Sequence, residues 1–132
     1  MEAVAFALRD VMQLLEENGL EVSCLKTGGG GTRSDYWNRI KCDVLGRTLV
    51  IPEVKESSLL GAAMVAAWGA GVYSGGREAV RTMFRGGGVL EPDAESHDAY
   101  SRLFELFRKL YRDLREDFAL LADLVDTREV TA

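Results

Sequence analysis

Four consecutive glycines, Gly28, Gly29, Gly30 and Gly31, stand between a hydrophobic strand pattern and a helical pattern, in the stretch TGGGGTRSDYWNRIKCD at residues 27–43. No other run limits the chain as strongly. Without side chains, the backbone there can take positive φ and come close to a ligand, with N–H groups turned towards an anion. A nucleotide phosphate is the first candidate. Two common phosphate motifs do not fit. Gly31 is followed by Thr32, Arg33 and Ser34 instead of the Lys-Ser/Thr of a Walker loop, and Ser34 and Asp35 do not supply the third small residue of a dinucleotide fingerprint. Taken alone, the run reads first as a flexible turn between strand and helix.

The flanking patterns place that turn. Residues 3–18 predict a helix with Val4, Leu8, Val11, Met12 and Leu15 on one face, no capping residue before it, and Gly19 as its stop. Residues 20–27 alternate Leu20, Val22 and Cys24 with more polar neighbours and predict a strand feeding the glycines. Ser34 is placed to cap the next helix, which runs through Cys42 and Val44 and ends at Gly46. Trp37 invites a story of stacking on a base. Its spacing with Ile40 and Val44 instead marks a buried helix face, and it reads as a core anchor.

Residues 48–51 are β-branched and predict a second strand, and residues 52–56, PEVKE, a surface connector. Glu53 and Glu56 read there as solvated charges, with Glu56 favouring the start of the following helix, and not as an acid–base pair. Residues 58–68 predict a helix lined by Gly61, Ala62, Ala63, Ala66 and Ala67, small enough to press against a sheet or the nucleotide loop. A turn at 74–76 and a short helix from Arg77 follow, and the second glycine triplet, 86–88, reads as a plain loop. One last long helix opens at Asp93 or Ser96. Its apolar line of Tyr100, Leu103, Phe104, Phe107, Tyr111, Leu114, Phe118 and Leu121 reads as core, and the tail from Asp126 as polar and frayed. The fold class is therefore α/β, with a small sheet, several helices and a long C-terminal helix. Two strands leave a sheet edge exposed, through which a homodimer could form.

Composition sets the outer limits. The chain of 132 residues, 47% hydrophobic and 28% charged, has room for one domain with a core. A net charge of -5 argues against a nucleic-acid or anionic-membrane partner, although a local glycine nest can still hold phosphate. Cys24 and Cys42 form no CxxC pair and read as small buried residues or free thiols. His97, the only histidine, is expected to be exposed and, with no second ligand, neither a metal site nor a triad member. No signal peptide pattern opens the chain, so a cytoplasmic location is expected. Residues 57–76 carry no charge, but their glycines and serines make a poor membrane span.

The wider pattern is more specific than any single motif. GGGTRSDYWNRIKCDVLGRTLVIPEVKESSLLGAAMVAAWGAGVYSG closely resembles the C-terminal domain of the FGGY carbohydrate kinases, above all the xylulokinase-like members. Those carry a glycine triplet, a small polar residue, a basic residue and Ser, then W-x-Q-I-x-A-D-V-x-G and P-E-V-x-E-x-x-x-L-G-A-A. MEAVAFALRDVMQLLEENG resembles the family helix before the loop, and VLEPDAESHDAYSRLFELFRKLY the one near its end. Departures are Ala3 for a usual Gly, Asn38 and Arg39 around a usual Gln, and Cys42 for a usual Ala.

The resemblance implies a partial ribonuclease H-like domain of the actin-like ATPase superfamily. Residues 1–125 would be the nucleotide-side part of the second kinase domain, truncated at its N-terminus, with 126–132 as a polar tail. It implies transfer of the ATP γ-phosphoryl group to a sugar hydroxyl, with ATP or ADP and Mg²⁺ held between two domains. Gly29, Gly30 and Gly31 would approach the phosphates and ribose, Gly30 most closely. Ser34 would reach the adenine, with Thr32 and Arg33 beside it. The family's D-x-G-T hairpin, sugar-binding residues and catalytic aspartate belong to a preceding region. Hence the partner is the missing N-terminal kinase domain, with the sugar acting through it, and this chain is expected to hold no catalytic residue, bind no metal itself and be inactive alone. The competing reading is an interaction module or remnant that docks on a separate N-terminal half or on itself. A structural actin-like polymer unit is a third and weaker one.

Overall fold

In the computed structural model the chain folds as mixed α/β, the class expected. The structure describes residues 1–129, and side chains through residue 125. The elements in order are α1 (Glu2–Glu17), β1 (Cys24–Lys26), a 3-10 turn (Gly30–Arg33), α2 (Asp35–Leu45), β2 (Thr48–Pro52), α3 (Ser57–Gly69), α4 (Gly76–Met83), β3 (Gly86–Leu90), α5 (Ala94–Asp113) and α6 (Arg115–Glu129). The sheet has strand order β1-β2-β3. β1 lies parallel to β2 with Leu25 beside Leu49, and β3 is antiparallel with Leu90 beside Leu49. α2 forms the βα crossover that a parallel pair requires.

The core is a helical layer. Ala5 and Phe6 of α1, Ile40 and Val44 of α2 and Phe104 of α5 form one buried cluster, with Trp37, Tyr100 and Phe107 packed against it. Phe6 sits among three rings, at centroid distances of 6.2 Å from Tyr100, 6.0 Å from Phe104 and 5.5 Å from Phe107. Edge-to-face and tilted contacts of this kind each add roughly 1 kcal/mol beyond burial. The Trp37, Ile40, Val44 face is thus the buried face of α2, as its spacing predicts.

Several expectations are corrected. α1 buries Ala5, Phe6 and Met12, whereas Val4, Leu8, Val11 and Leu15 remain exposed. The helix carries two apolar lines, and α2 and α5 cover only one. The strand expected over 20–27 contracts to Cys24–Lys26. α3 buries no residue, so its small side chains are not pressed against the sheet. Residues 86–88 are not a loop but the start of β3. Nonlocal pairing decides that. β3 pairs with β2 across a register irregularity between Ile51 and Pro52, and the chain just beyond β2 lies so close that a Cβ on Gly87 would stand 2.9 Å from the Glu53 Cα.

The last helix is two. α5 stops at Asp113 and α6 starts at Arg115. Only Tyr100, Phe104 and Phe107 of its apolar line join the core. Leu103, Tyr111, Leu114, Phe118 and Leu121 are exposed. Polar contacts from α1 to α5 run from Glu2–Tyr100 to Gln13–Arg108, and the later turns continue past the end of α1. α6 continues helical through Asp126, where the tail was expected to fray, and residues 130–132 of that tail lie outside the described residues. His97 is half-buried, not exposed: its Nδ1 lies 2.7 Å from the Asp43 carbonyl oxygen.

Candidate functional site

The glycine run bends out of β1 and into α2 over a hydrogen-bonded base. Gly29 takes φ +80°, a left-handed conformation that only glycine adopts readily. Its N–H donates to the Lys55 carbonyl at 3.1 Å and to Ser57 Oγ at 3.2 Å, which ties the loop to the start of α3. Gly28 sits so close to α3 that a Cβ there would stand 2.4 Å from Ser57 Oγ.

From below, Thr32 and Asn38 hold the same loop. Thr32 is 1% exposed, and both its N–H and its hydroxyl donate to the Gly29 carbonyl, at 3.0 and 2.7 Å. The side-chain amide of Asn38, itself 0% exposed, donates to the Thr32 carbonyl at 2.9 Å, while its Oδ1 is buried without a partner. Ser34 acts as the expected cap: its Oγ accepts from the Trp37 N–H at 3.2 Å. Arg33, at the end of the 3-10 turn, pairs with Glu56 at the start of α3, so Glu56 meets a guanidinium and makes no side-chain cap of α3.

The first bond inside the 3-10 turn is donated by Thr32, and the N–H groups of Gly30 and Gly31 come before it. They have no earlier carbonyl within the turn to bond, as at the start of any helix. A Cβ built on Gly30 would meet nothing within 4 Å, and Gly30 does not adopt positive φ. Gly31 is closer to the core, 3.3 Å from Trp37 Nε1 by the same construction.

Of the residues singled out from sequence, Gly29, Gly30, Gly31 and Ser34 form the rim of one turn, and Thr32 lies beneath it. Lys55, Ser57 and Asn38 were not read as part of the site. Asn38 left one signal, an amide adjoining the apolar Trp37, Ile40, Val44 face. Two groups behind the loop are electrostatically marked. Burial pushes the Lys41 ammonium below its usual range, and it pushes the Cys42 thiol up, next to a weaker opposing effect of Arg39. Cys42 Sγ lies near the Arg47 and Leu90 carbonyls, whereas Cys24 is an exposed free thiol.

The profile described as FGGY family of carbohydrate kinases, C-terminal domain, matches residues 1–70, more than half of the chain. The chain belongs to this family. Xylulose kinase of Bacillus subtilis (strain 168) is 28% identical over 116 residues, covering 88% of this chain and 23% of that protein. Autoinducer-2 kinase of Escherichia coli (strain K12) is 32% identical over 104 residues, covering 79% of this chain and 20% of that protein. Among solved structures, xylulose kinase from Rhodospirillum rubrum superimposes with a TM-score of 0.67 at 35% identity, over 89% of this chain and 24% of that one. The chain therefore spans about a quarter of the length of the curated relatives it matches. It corresponds to the C-terminal part of these sugar kinases. Among the described residues, no helix is long and apolar enough to cross a membrane.

Proposed function

We propose that the Gly28–Gly31 turn is the nucleotide half-site of an ATP-dependent sugar kinase, completed by a domain that this chain does not contain. The single observation that carries the reading is Gly30. Positive φ explains Gly29, and close neighbours explain Gly28 and Gly31, but nothing in the fold requires glycine at position 30. A bare residue facing open space, at two N–H groups ahead of a turn, fits the close approach of a phosphate or ribose. ATP or ADP fits this chain on that ground.

In this reading Gly29, Gly30 and Gly31 contact the phosphates and ribose, and Ser34 lies towards the base. Thr32 belongs to the site as its brace, setting the position of the Gly29 carbonyl from the buried side. No three carboxylate, imidazole or thiol groups converge among the described residues, so Mg²⁺ would be held through the nucleotide's phosphates and the missing domain. That domain would also bring the sugar and the catalytic base, and a cytoplasmic location goes with ATP as donor. Phosphoryl transfer depends on positioning and charge stabilisation, and half a cleft supplies only part of each. The sugar belongs to the class named for the relatives, and its identity rests with the missing domain.

Equilibrium dialysis of the chain against Mg·ADP tests the reading. Saturable binding to the wild type that Gly30→Val removes, at unchanged thermal stability, is the expected result. Equal retention by both proteins would overturn it.

A further inference from the structure

Phe104, Phe107, Tyr111, Leu114, Phe118 and Leu121 follow one another in alternating steps of three and four residues, the repeat of a seam between two helices. α1 occupies only its beginning, where Phe6 packs on Phe104 and Phe107. From Tyr111 onward the same line is exposed. The rod itself continues across the junction of α5 and α6. Leu114 donates its N–H to the Leu110 carbonyl and accepts at its own carbonyl from the Phe118 N–H, both at 3.0 Å, and the Tyr111 and Phe118 rings lie 6.1 Å apart on one side.

The flanks of this bare half of the seam differ in sign. At about 100° per residue, Arg108, Arg112 and Arg115 fall on one side of it and Asp113 and Asp117 on the other. Arg108 pairs with Asp10 and Asp113 with Lys109, whereas Arg112, Arg115 and Asp117 form no ion pair among the described residues. An anionic lipid surface does not suit a chain of net charge -5 with acids beside its apolar line. A helix carrying the same pattern does.

We propose that the exposed seam from Tyr111 to Leu121 is a homodimer surface, on which the α5–α6 junction of a second copy of this chain lies in the same direction. Side by side in that direction, the basic flank of each copy faces the acidic flank of the other, and the two-fold axis repeats the match. Arg115 and Asp117 differ by two residues, about 3 Å of rise, a step that an arginine side chain spans. The opposite direction would set Arg115 against Arg115 and Asp117 against Asp117, so the charges choose the orientation as well as the partner.

Sedimentation equilibrium of the chain over a concentration series tests the proposal without nucleotide, so its outcome is independent of the half-site reading. A monomer–dimer equilibrium is expected, weakened at least about tenfold, or 1.4 kcal/mol, by Leu121→Asp. A chain that stays monomeric overturns the proposal, whatever else then covers the face, and so does a dimer that Leu121→Asp leaves equally tight. Two variants at exposed charges decide the matter even where Leu121→Asp does not fold. Arg115→Glu sets acid against the Asp117 of the other copy, and Asp117→Arg sets base against its Arg115, so each variant alone should dimerise at least about tenfold more weakly. An equimolar mixture of the two should regain the dimer, with one chain of each kind. A mixture no more associated than the separate variants overturns the proposal.

Discussion

The side-chain amide of Asn38 donates to the carbonyl of Thr32 at 2.9 Å, and both residues are buried beneath the glycine turn. The bond joins the first turns of α2 to the floor of the loop. Replacing Asn38 by Leu keeps much of the volume and leaves the Thr32 carbonyl without its donor. The expected cost is about 1–3 kcal/mol in urea unfolding, the penalty of an unsatisfied buried acceptor. Faster amide exchange at Thr32, whose N–H donates to the Gly29 carbonyl, should accompany it. Unchanged exchange at Thr32 would remove Asn38 from the support of the loop.

Two glycines of the same run should respond in opposite ways. Gly28→Ala sets a methyl 2.4 Å from Ser57 Oγ, so the serine must turn away and release its bond to Gly29. A loss of about 1–2 kcal/mol is expected from such overpacking, partly recovered by Ser57→Gly in the same protein. Gly30→Ala should change stability by no more than about 0.5 kcal/mol, as for a surface substitution. Its Mg·ADP affinity should nevertheless fall about tenfold, or 1.4 kcal/mol. Calorimetric melts and dialysis on the two variants separate the roles.

The central βα turn was legible in the sequence because its signals are local. Ser34 precedes the helix by one residue and caps it, and Gly46 closes it in the left-handed conformation that its position announces. What was not legible depends on distant partners. Gly86, Gly87 and Gly88 have poor strand propensity, and it is pairing with Ile51 and Pro52 of β2 that makes them a strand. The choice between the two apolar lines of α1 is likewise made by Phe104 and Phe107, about a hundred residues away in sequence. The roles of Lys55 and Ser57 in holding Gly29 were hidden because one acts through a backbone carbonyl.

Gly46 should tolerate no side chain. Its φ is +62°, and a Cβ would lie 2.4 Å from the His97 ring. Conformational strain alone costs about 1–2 kcal/mol in Gly46→Ala, and the overlap adds to it. The variant should regain part of the loss when His97 is also replaced by Ala, as a double-mutant cycle by urea unfolding would read. Strict additivity would mean that the ring does not press on that turn.

Asp93 gives the fold an acid-sensitive point. Its carboxylate accepts from the Ser96 N–H at 2.8 Å, capping α5. The Ser96 backbone first, then its side chain, holds the Asp93 carboxyl below its ordinary range. A lowered folded value means that the group stabilises the fold when ionised. That contribution is fully present above the ordinary aspartate value, about pH 4, and is lost as pH falls through the lower folded value. Asp93→Asn keeps an acceptor but does not titrate. The wild type should therefore lose stability relative to Asp93→Asn on acidification below about pH 4. Parallel melting curves over that interval would contradict the cap's ionic character.

The most direct test of the half-site is an amide NMR titration of the chain with Mg·ADP, following Gly29, Gly30, Gly31 and Ser34, with Ser57 as the neighbour across the loop. Saturable shifts confined to those residues are the predicted result. A well-folded sample whose loop amides stay in place while ADP is raised to millimolar levels would contradict it.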